Sequence, residues 1–219
     1  ASVARRSPPP VPERPAVLVC AGDHGVLAQG VSVWPAEVTA TMVGEFCADR
    51  AAVNALARTV GASVSVLDVG VASELPRHPL LKSGKVRAGT ADLSAGTAMS
   101  REEAARAVLA GVDLAGQLTL AGADLLVTGD MGIGNTTPAA CLIAAFTGRP
   151  AEEVTGPGAG SDVAAVARKA EVVRRALERH APDPADALGT LASVGGLEHA
   201  AIAGFVLGAA LLRVPLILD

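Results

Sequence analysis

The run Val127-Thr-Gly-Asp-Met-Gly-Ile-Gly-Asn-Thr-Thr-Pro-Ala-Ala140 decides the fold class. It reads as the end of a buried strand, a glycine-bearing loop and the start of a helix. Ala123 to Val127 supply the apolar strand. Gly129, Gly132 and Gly134 permit dihedrals and close backbone approaches that other residues resist. Thr136 and Thr137 suit an N-cap, and Pro138 suits the first helical position. Ala139 to Phe146 continue as an apolar helix. Such a junction aims several N–H groups and the positive end of the helix dipole at one spot, where an anion can bind. An ordinary strand-to-helix turn has the same local signature, so the glycines alone leave both readings open.

The rest of the chain repeats this alternation. Ala16 to Cys20 is a short apolar strand ending in the polar loop Ala21-Gly-Asp-His-Gly25. Pro35 opens a long helix, roughly 36 to 59, with Val38, Met42, Phe46, Val53 and Leu56 as its apolar stripe. Ser63 to Val69 is a second strand, and residues 70 to 98 are mostly loop. Ser100-Arg-Glu-Glu103 is a capping box opening a helix to about Leu120. Asp124 to Thr128 is the third strand. Ser161 or Asp162 caps a helix reaching about His180. Asp186 to Ser193 is a shorter helix, Gly195-Gly196 a turn, Leu197 to Leu212 a buried helix and Val214 to Leu218 a fourth strand. Strands alternating with helices predict an α/β fold: a mainly parallel sheet with flanking helices, Rossmann-like and doubly wound. Ligands of such sheets bind beyond the carboxyl ends of the strands.

Composition removes several function classes. The 219 residues carry a net charge of −4, half are hydrophobic and only 2% aromatic. There is no basic patch with interleaved aromatics, so nucleic acid is not an expected partner. The apolar segment Ala200 to Leu212 ends at Arg213 and Pro215, short of the ~20 residues of a membrane span. No signal peptide is expected, because the first residues are rich in Arg and Pro with no apolar run. Cys20, Cys47 and Cys141 form no CxxC and read as thiols of a reducing compartment. His24, His78, His180 and His199 show no ligand spacing, so no metal is expected. Residues 1–15, with five prolines and Arg5, Arg6 and Arg14, read as an extended lead or linker; 16–219 is the α/β domain.

Several residues invite function. Asp130 adjoins the glycine loop and either meets a ligand hydroxyl or base, or braces the loop. Gly156-Pro-Gly-Ala-Gly160 is a second glycine loop before a helix, and two such loops in one α/β chain favour a phosphorylated ligand. Lys169 beside Arg168 reads, on its own, as a solvated charge. Asp23 and His24 at a strand end act on a ligand or brace a loop. Trp34, the only tryptophan, stacks on a flat ligand or anchors its loop. Glu198, behind Gly195 and Gly196, reads as a partner of the helix dipole.

The opening run also resembles that of the nicotinate-nucleotide–dimethylbenzimidazole phosphoribosyltransferases of cobalamin assembly, with Asp130 where the family has Glu. Further stretches match in order: Ala21-Gly-Asp-His-Gly-Val26, Gly30-Val-Ser with Pro35-Ala-Glu-Val-Thr39, Gly96-Thr-Ala-Met-Ser100, Arg168-Lys-Ala-Glu-Val-Val-Arg-Arg-Ala176, Val194-Gly-Gly196 and Val214-Pro-Leu-Ile-Leu-Asp219. The resemblance implies transfer of the phosphoribosyl group of nicotinate mononucleotide to 5,6-dimethylbenzimidazole, giving α-ribazole 5′-phosphate and nicotinate. It implies a nucleotide and phosphate site at Gly132, Ile133, Gly134, Asn135, Thr136, Thr137, Gly156, Gly158, Lys169 and Gly196. It implies a base pocket at Asp23, His24, Trp34, Pro35, Met42 and Met131. No cofactor is implied, and the protein is expected to be a cytoplasmic homodimer. The family's N-terminal helical segment and a C-terminal segment bearing its general-base Glu find no match, so the chain is expected to be a fragment or a shortened relative. Asp130 is then the candidate base. The alternative reading is a non-catalytic nucleotide-binding module of a larger cobalamin-pathway protein.

Overall fold

The computed structural model describes residues 7–8, 10–160 and 163–219. At its centre lies β1 (Pro15–Gly22), whose alternate side chains feed two cores. Ala16, Leu18 and Cys20 enter one hydrophobic cluster, while Val19 and Ala21 enter a second on the opposite face. A strand buried on both faces needs this continuous apolar sequence. β1 pairs in parallel with β2 (Ser63–Gly70) on one side and with β4 (Leu125–Met131) on the other. β3 (Leu81–Ser83) and β5 (Leu216–Ile217) complete a five-stranded parallel sheet of order β3-β2-β1-β4-β5. The sequence reading counted four strands; β3 is so short and so close to Pro79 that its only strand signal is its pairing with Val66 to Asp68.

One face of the sheet is covered by α1 (Glu37–Cys47) and α2 (Ala52–Thr59). These replace the single helix expected over roughly 36 to 59. Asp49 takes φ +60°, and the buried Asn54 stabilises the break. Its Nδ2 donates to the Phe46 carbonyl and its Oδ1 accepts from the Ala51 N–H. One amide thus closes the end of one helix and the start of the next. The apolar stripe continues across the break, so periodicity hid it.

The other face carries α3 (Arg101–Leu120), α4 (Thr136–Thr147), the short α5 (Ala151–Val154), α6 (Val163–His180), α7 (Ala187–Val194) and α8 (Leu197–Leu212). The capping box is formed: Ser100 Oγ accepts from the Glu103 N–H, and Glu103 Oε2 from the Ser100 N–H. α3 and α8 lie backbone to backbone. A Cβ on Gly111 would stand 1.9 Å from the Ala201 carbonyl oxygen, and one on Gly204 1.8 Å from that of Val108. Only one face of α8 is buried, through Leu197, Ala201, Phe205 and Ala209, while Leu207, Leu211 and Leu212 are exposed. The expectation of a wholly buried helix is corrected to that extent. The capping role considered for Ser161 or Asp162 lies outside the described residues, as do residues 1–6 and 9 of the 1–15 lead. Its last part is fastened, since the N–H groups of Glu13 and Arg14 both donate to the Asp124 carboxylate.

Candidate functional site

Strand order reverses between β1 and β4, where chain connections leave in opposite directions and open a crevice at the carboxyl ends. Three segments meet there: the end of β1 with Asp23 and His24, the β4–α4 loop, and the first turn of α8.

The β4–α4 loop is held by its own amides and by a helix from across the sheet. Asn135 N–H donates to the Gly132 carbonyl and Thr137 N–H to that of Gly134. Gly134 takes φ +88°, open to glycine alone at low cost. The Ile133 N–H donates to Thr39 Oγ1 at 3.1 Å, and Thr39 is fully buried on α1. The helix begins at Thr136 after Asn135, which has helical dihedrals and makes no side-chain cap. Thr136 and Thr137 are therefore not its N-cap, and Pro138 stands third in the helix rather than first. Their hydroxyls are left for other work. Thr136 Oγ1 accepts from Lys169, and Thr137 Oγ1 is buried without a hydrogen-bond partner among the described residues.

Lys169 is 2% exposed, which overturns its reading as a solvated charge. From α6 its Nζ donates to Thr136 Oγ1 at 2.9 Å and to the Gly156 carbonyl at 3.3 Å. Gly158 packs so closely that a Cβ there would lie 3.1 Å from Nζ. No ion pair of Lys169 exists among the described residues, and burial lowers its pKa. A buried ammonium with only neutral acceptors is costly unless an anion joins it. The fold thus gathers the first glycine loop, the second and Lys169, segments well separated along the chain, around one positive centre.

Beside it lies a buried charged cluster. Glu198, second in α8, and His24 have fully buried side chains, with His24 Nε2 3.0 Å from Glu198 Oε1. His199 Nδ1 approaches the same oxygen at 3.1 Å. Burial opposes a charge on His24, yet Glu198, aided by Asp23 and Asp130, outweighs it and raises its pKa. Burial likewise opposes charge on Glu198, yet His24 and His199 hold its pKa down to about 2. Glu198 is therefore more than the helix-dipole partner of the sequence reading. The carboxylates of Glu198 and Asp130 also add to burial in raising the pKa of Cys20.

Asp130 is exposed at the end of β4, and the Asn135 amide donates to its Oδ2. Ligand atoms of Asp130, Glu198 and His199 lie within 4.8 Å of one another, close enough to hold a cation. Glu198 already meets two imidazoles, however, so its charge does not call for one. Asp23 braces a loop: its Oδ2 accepts from the Ala72 N–H at 2.7 Å. Trp34, half exposed, donates its Nε1–H to the Ala159 carbonyl and so ties its loop to the second glycine loop. Pro35 is exposed just ahead of α1, and Met42 and Met131 are partly buried, each packed against the second core cluster. Gly196 is the N-cap of α8, with no room for a Cβ beside Glu198. Sequence reasoning missed Thr39 and the pairing of Glu198. The available signal for Glu198 was a lone acid opening an otherwise apolar helix.

A phosphoribosyltransferase family model matches residues 1–219. The chain is 54% identical to the nicotinate-nucleotide–dimethylbenzimidazole phosphoribosyltransferase of Salinispora tropica, covering 100% of this chain and 64% of that protein. It is 54% identical to the enzyme of that name from Chloroflexus aggregans, covering 94% of this chain and 58% of that one. The crystal structure of CobT from Thermus thermophilus superposes with a TM-score of 0.96 at 49% identity, over 100% of this chain and 65% of that one. The chain thus spans about three fifths of the length of the relatives it matches.

Proposed function

The chain belongs to this phosphoribosyltransferase family, and from that premise we propose that it transfers the phosphoribosyl group of nicotinate mononucleotide to 5,6-dimethylbenzimidazole. The products are α-ribazole 5′-phosphate, for the lower ligand of cobalamin, and nicotinate. The observation that carries this reading is Lys169: a buried ammonium between two glycine loops, bonded only to a threonine hydroxyl and a carbonyl among the described residues. A phosphate dianion supplies the charge that this arrangement lacks.

Lys169 and Thr136 hold the phosphate against the β4–α4 loop and so place the ribose beside the switch point. A benzimidazole nitrogen attacks carbon 1 of the ribose from the face opposite nicotinate. The bond to the pyridinium nitrogen breaks with its electron pair going to that nitrogen, which inverts the β-linkage to α. The proton on the second benzimidazole nitrogen passes to the Asp130 carboxylate, the exposed acid at the end of β4. Positioning two substrates accounts for much of the acceleration, and no cofactor enters. The flat base lies toward Trp34, Pro35, Met42 and Met131, with Asp23 and His24 bordering the pocket. A cytoplasmic homodimer is part of the same proposal.

The test is calorimetric titration with nicotinate mononucleotide, followed by incubation with both substrates and NMR assignment of the product's C1 anomer. Saturable binding and an α-anomer support the reading. Binding without turnover returns the alternative of a nucleotide-binding module, and a folded chain that binds no nucleotide refutes the reading.

A further inference from the structure

Around the ion-paired atoms His24 Nε2, Glu198 Oε1 and His199 Nδ1, three more buried polar atoms, Asp23 Oδ1, His24 Nδ1 and Glu198 Oε2, have no hydrogen-bond partner among the described residues. Such atoms are uncommon in folded proteins and each asks for a reason. Here they concentrate at the switch point, around an ion pair with no exposed side-chain surface. A core can fill the same volume with apolar residues at no loss of stability, so packing alone gives no reason for the charges.

The contacts of the pair supply one. Three chain segments close on it through glycines at which a Cβ would crowd the pair. A Cβ on Gly132, the first glycine of the β4–α4 loop, would lie 2.9 Å from His24 Nε2 and 2.3 Å from the Gly22 carbonyl. A Cβ on Gly22 would lie 3.0 Å from Glu198 Oε2, and one on Gly196 2.5 Å from Glu198 Oε1. The end of β1, the loop after β4 and the start of α8 therefore rest on one imidazole and one carboxylate.

We propose that Glu198 and His24 are positioning residues, an ion-paired floor on which the Met131–Asn135 loop sits and which fixes its amides and Asp130 for the phosphorylated ligand. The pair acts from below. His24 supports Gly132, Thr39 holds Ile133 from the side, and Asn135 ties Asp130 to the loop. With both supports in place, the loop amides are aimed before a ligand arrives. The ligand half of this inference rests on the function proposed above; the loop half does not.

The experiment measures amide hydrogen exchange and nucleotide titration on wild type, Glu198→Gln and the charge-free double variant Glu198→Gln/His24→Gln. The amides read are Ile133, Asn135 and Thr137, whose bonds define the loop, with Val66 of β2 as the reference. Glu198→Gln is expected to speed loop exchange tenfold or more with Val66 unchanged, and to weaken nicotinate mononucleotide binding at least tenfold. The double variant, with two amides able to bond each other, is expected to recover part of both losses. A purely structural role moves melting temperature but leaves loop exchange and affinity at wild-type values, and that result overturns the proposal. Faster loop exchange in a protein whose wild type binds no nucleotide supports the floor and refutes the proposed function instead. If Glu198→Gln does not fold, the double variant against wild type carries the same comparison.

Discussion

Lys169→Met removes an ammonium and keeps nearly all of the apolar stem. In the ligand-free protein the lysine is 2% exposed and its Nζ has two neutral acceptors, Thr136 Oγ1 and the Gly156 carbonyl. Loss of those bonds is offset by removal of a desolvated charge, so the melting temperature is expected to hold or rise. Binding is a different matter. A hydrogen bond to a charged group contributes ~1.5–3 kcal/mol. At about 1.4 kcal/mol per decade, the variant should bind nicotinate mononucleotide roughly 10- to 150-fold more weakly in calorimetry. The pH dependence has two opposite signs. Burial lowers the Lys169 pKa below the ordinary 10.5, so between the lowered value and 10.5 the unfolded chain binds more protons and ligand-free stability rises with pH. The phosphate needs the protonated form, so affinity falls over the same range, and binding there takes up protons. An affinity unchanged in Lys169→Met, at unchanged fold, would refute the placement of the phosphate.

Four further outcomes follow from the geometry. Asp130→Asn should lower turnover by ~10²- to 10⁴-fold, the range for losing a general base, and leave nucleotide affinity within about threefold (~0.6 kcal/mol); an unchanged rate removes Asp130 from the chemistry. Thr39→Val strands the Ile133 N–H inside the protein and should cost ~1–3 kcal/mol by denaturant melts, with Thr39→Ser restoring most of it. Gly204→Ala sets a methyl 1.8 Å from the Val108 carbonyl oxygen and should cost ~1–3 kcal/mol or more, read as a fall in melting temperature. The stability that the His24–Glu198 pair adds over its charge-free double variant should be greatest between the unfolded values of 4.5 and 6.5. Glu198, with a lowered folded pKa, loses its share as pH falls toward about 2. His24, with a raised one, loses its share as pH climbs through that raised value. Parallel melting profiles of the two proteins across pH would contradict this.

Strands β1, β2, β4 and β5, the parallel sheet, the Ser100–Glu103 capping box and the glycine loop after β4 are legible in the sequence alone. Each is written in residues within one or two turns of each other, where hydrophobic period, caps and glycine spacing act. The sequence also offered Lys169 and Glu198, but read from the residues alone they are a solvated charge and a helix-dipole partner, because burial is not a local property; a phosphate role for Lys169 came only from the family resemblance. Tertiary structure decided the rest. Lys169 is buried only because α6 lays it against Thr136, and Glu198 is ion-paired only because α8 begins beneath the end of β1, far from His24 in sequence. The division of 36–59 into two helices hangs on the Asn54 amide reaching Phe46, and β3 is a strand only because β2 offers it a partner. Local patterns set which groups a segment carries. Which of them lose water and meet is set by packing across the sheet, and that packing brings Lys169 to Thr136 and Glu198 to His24.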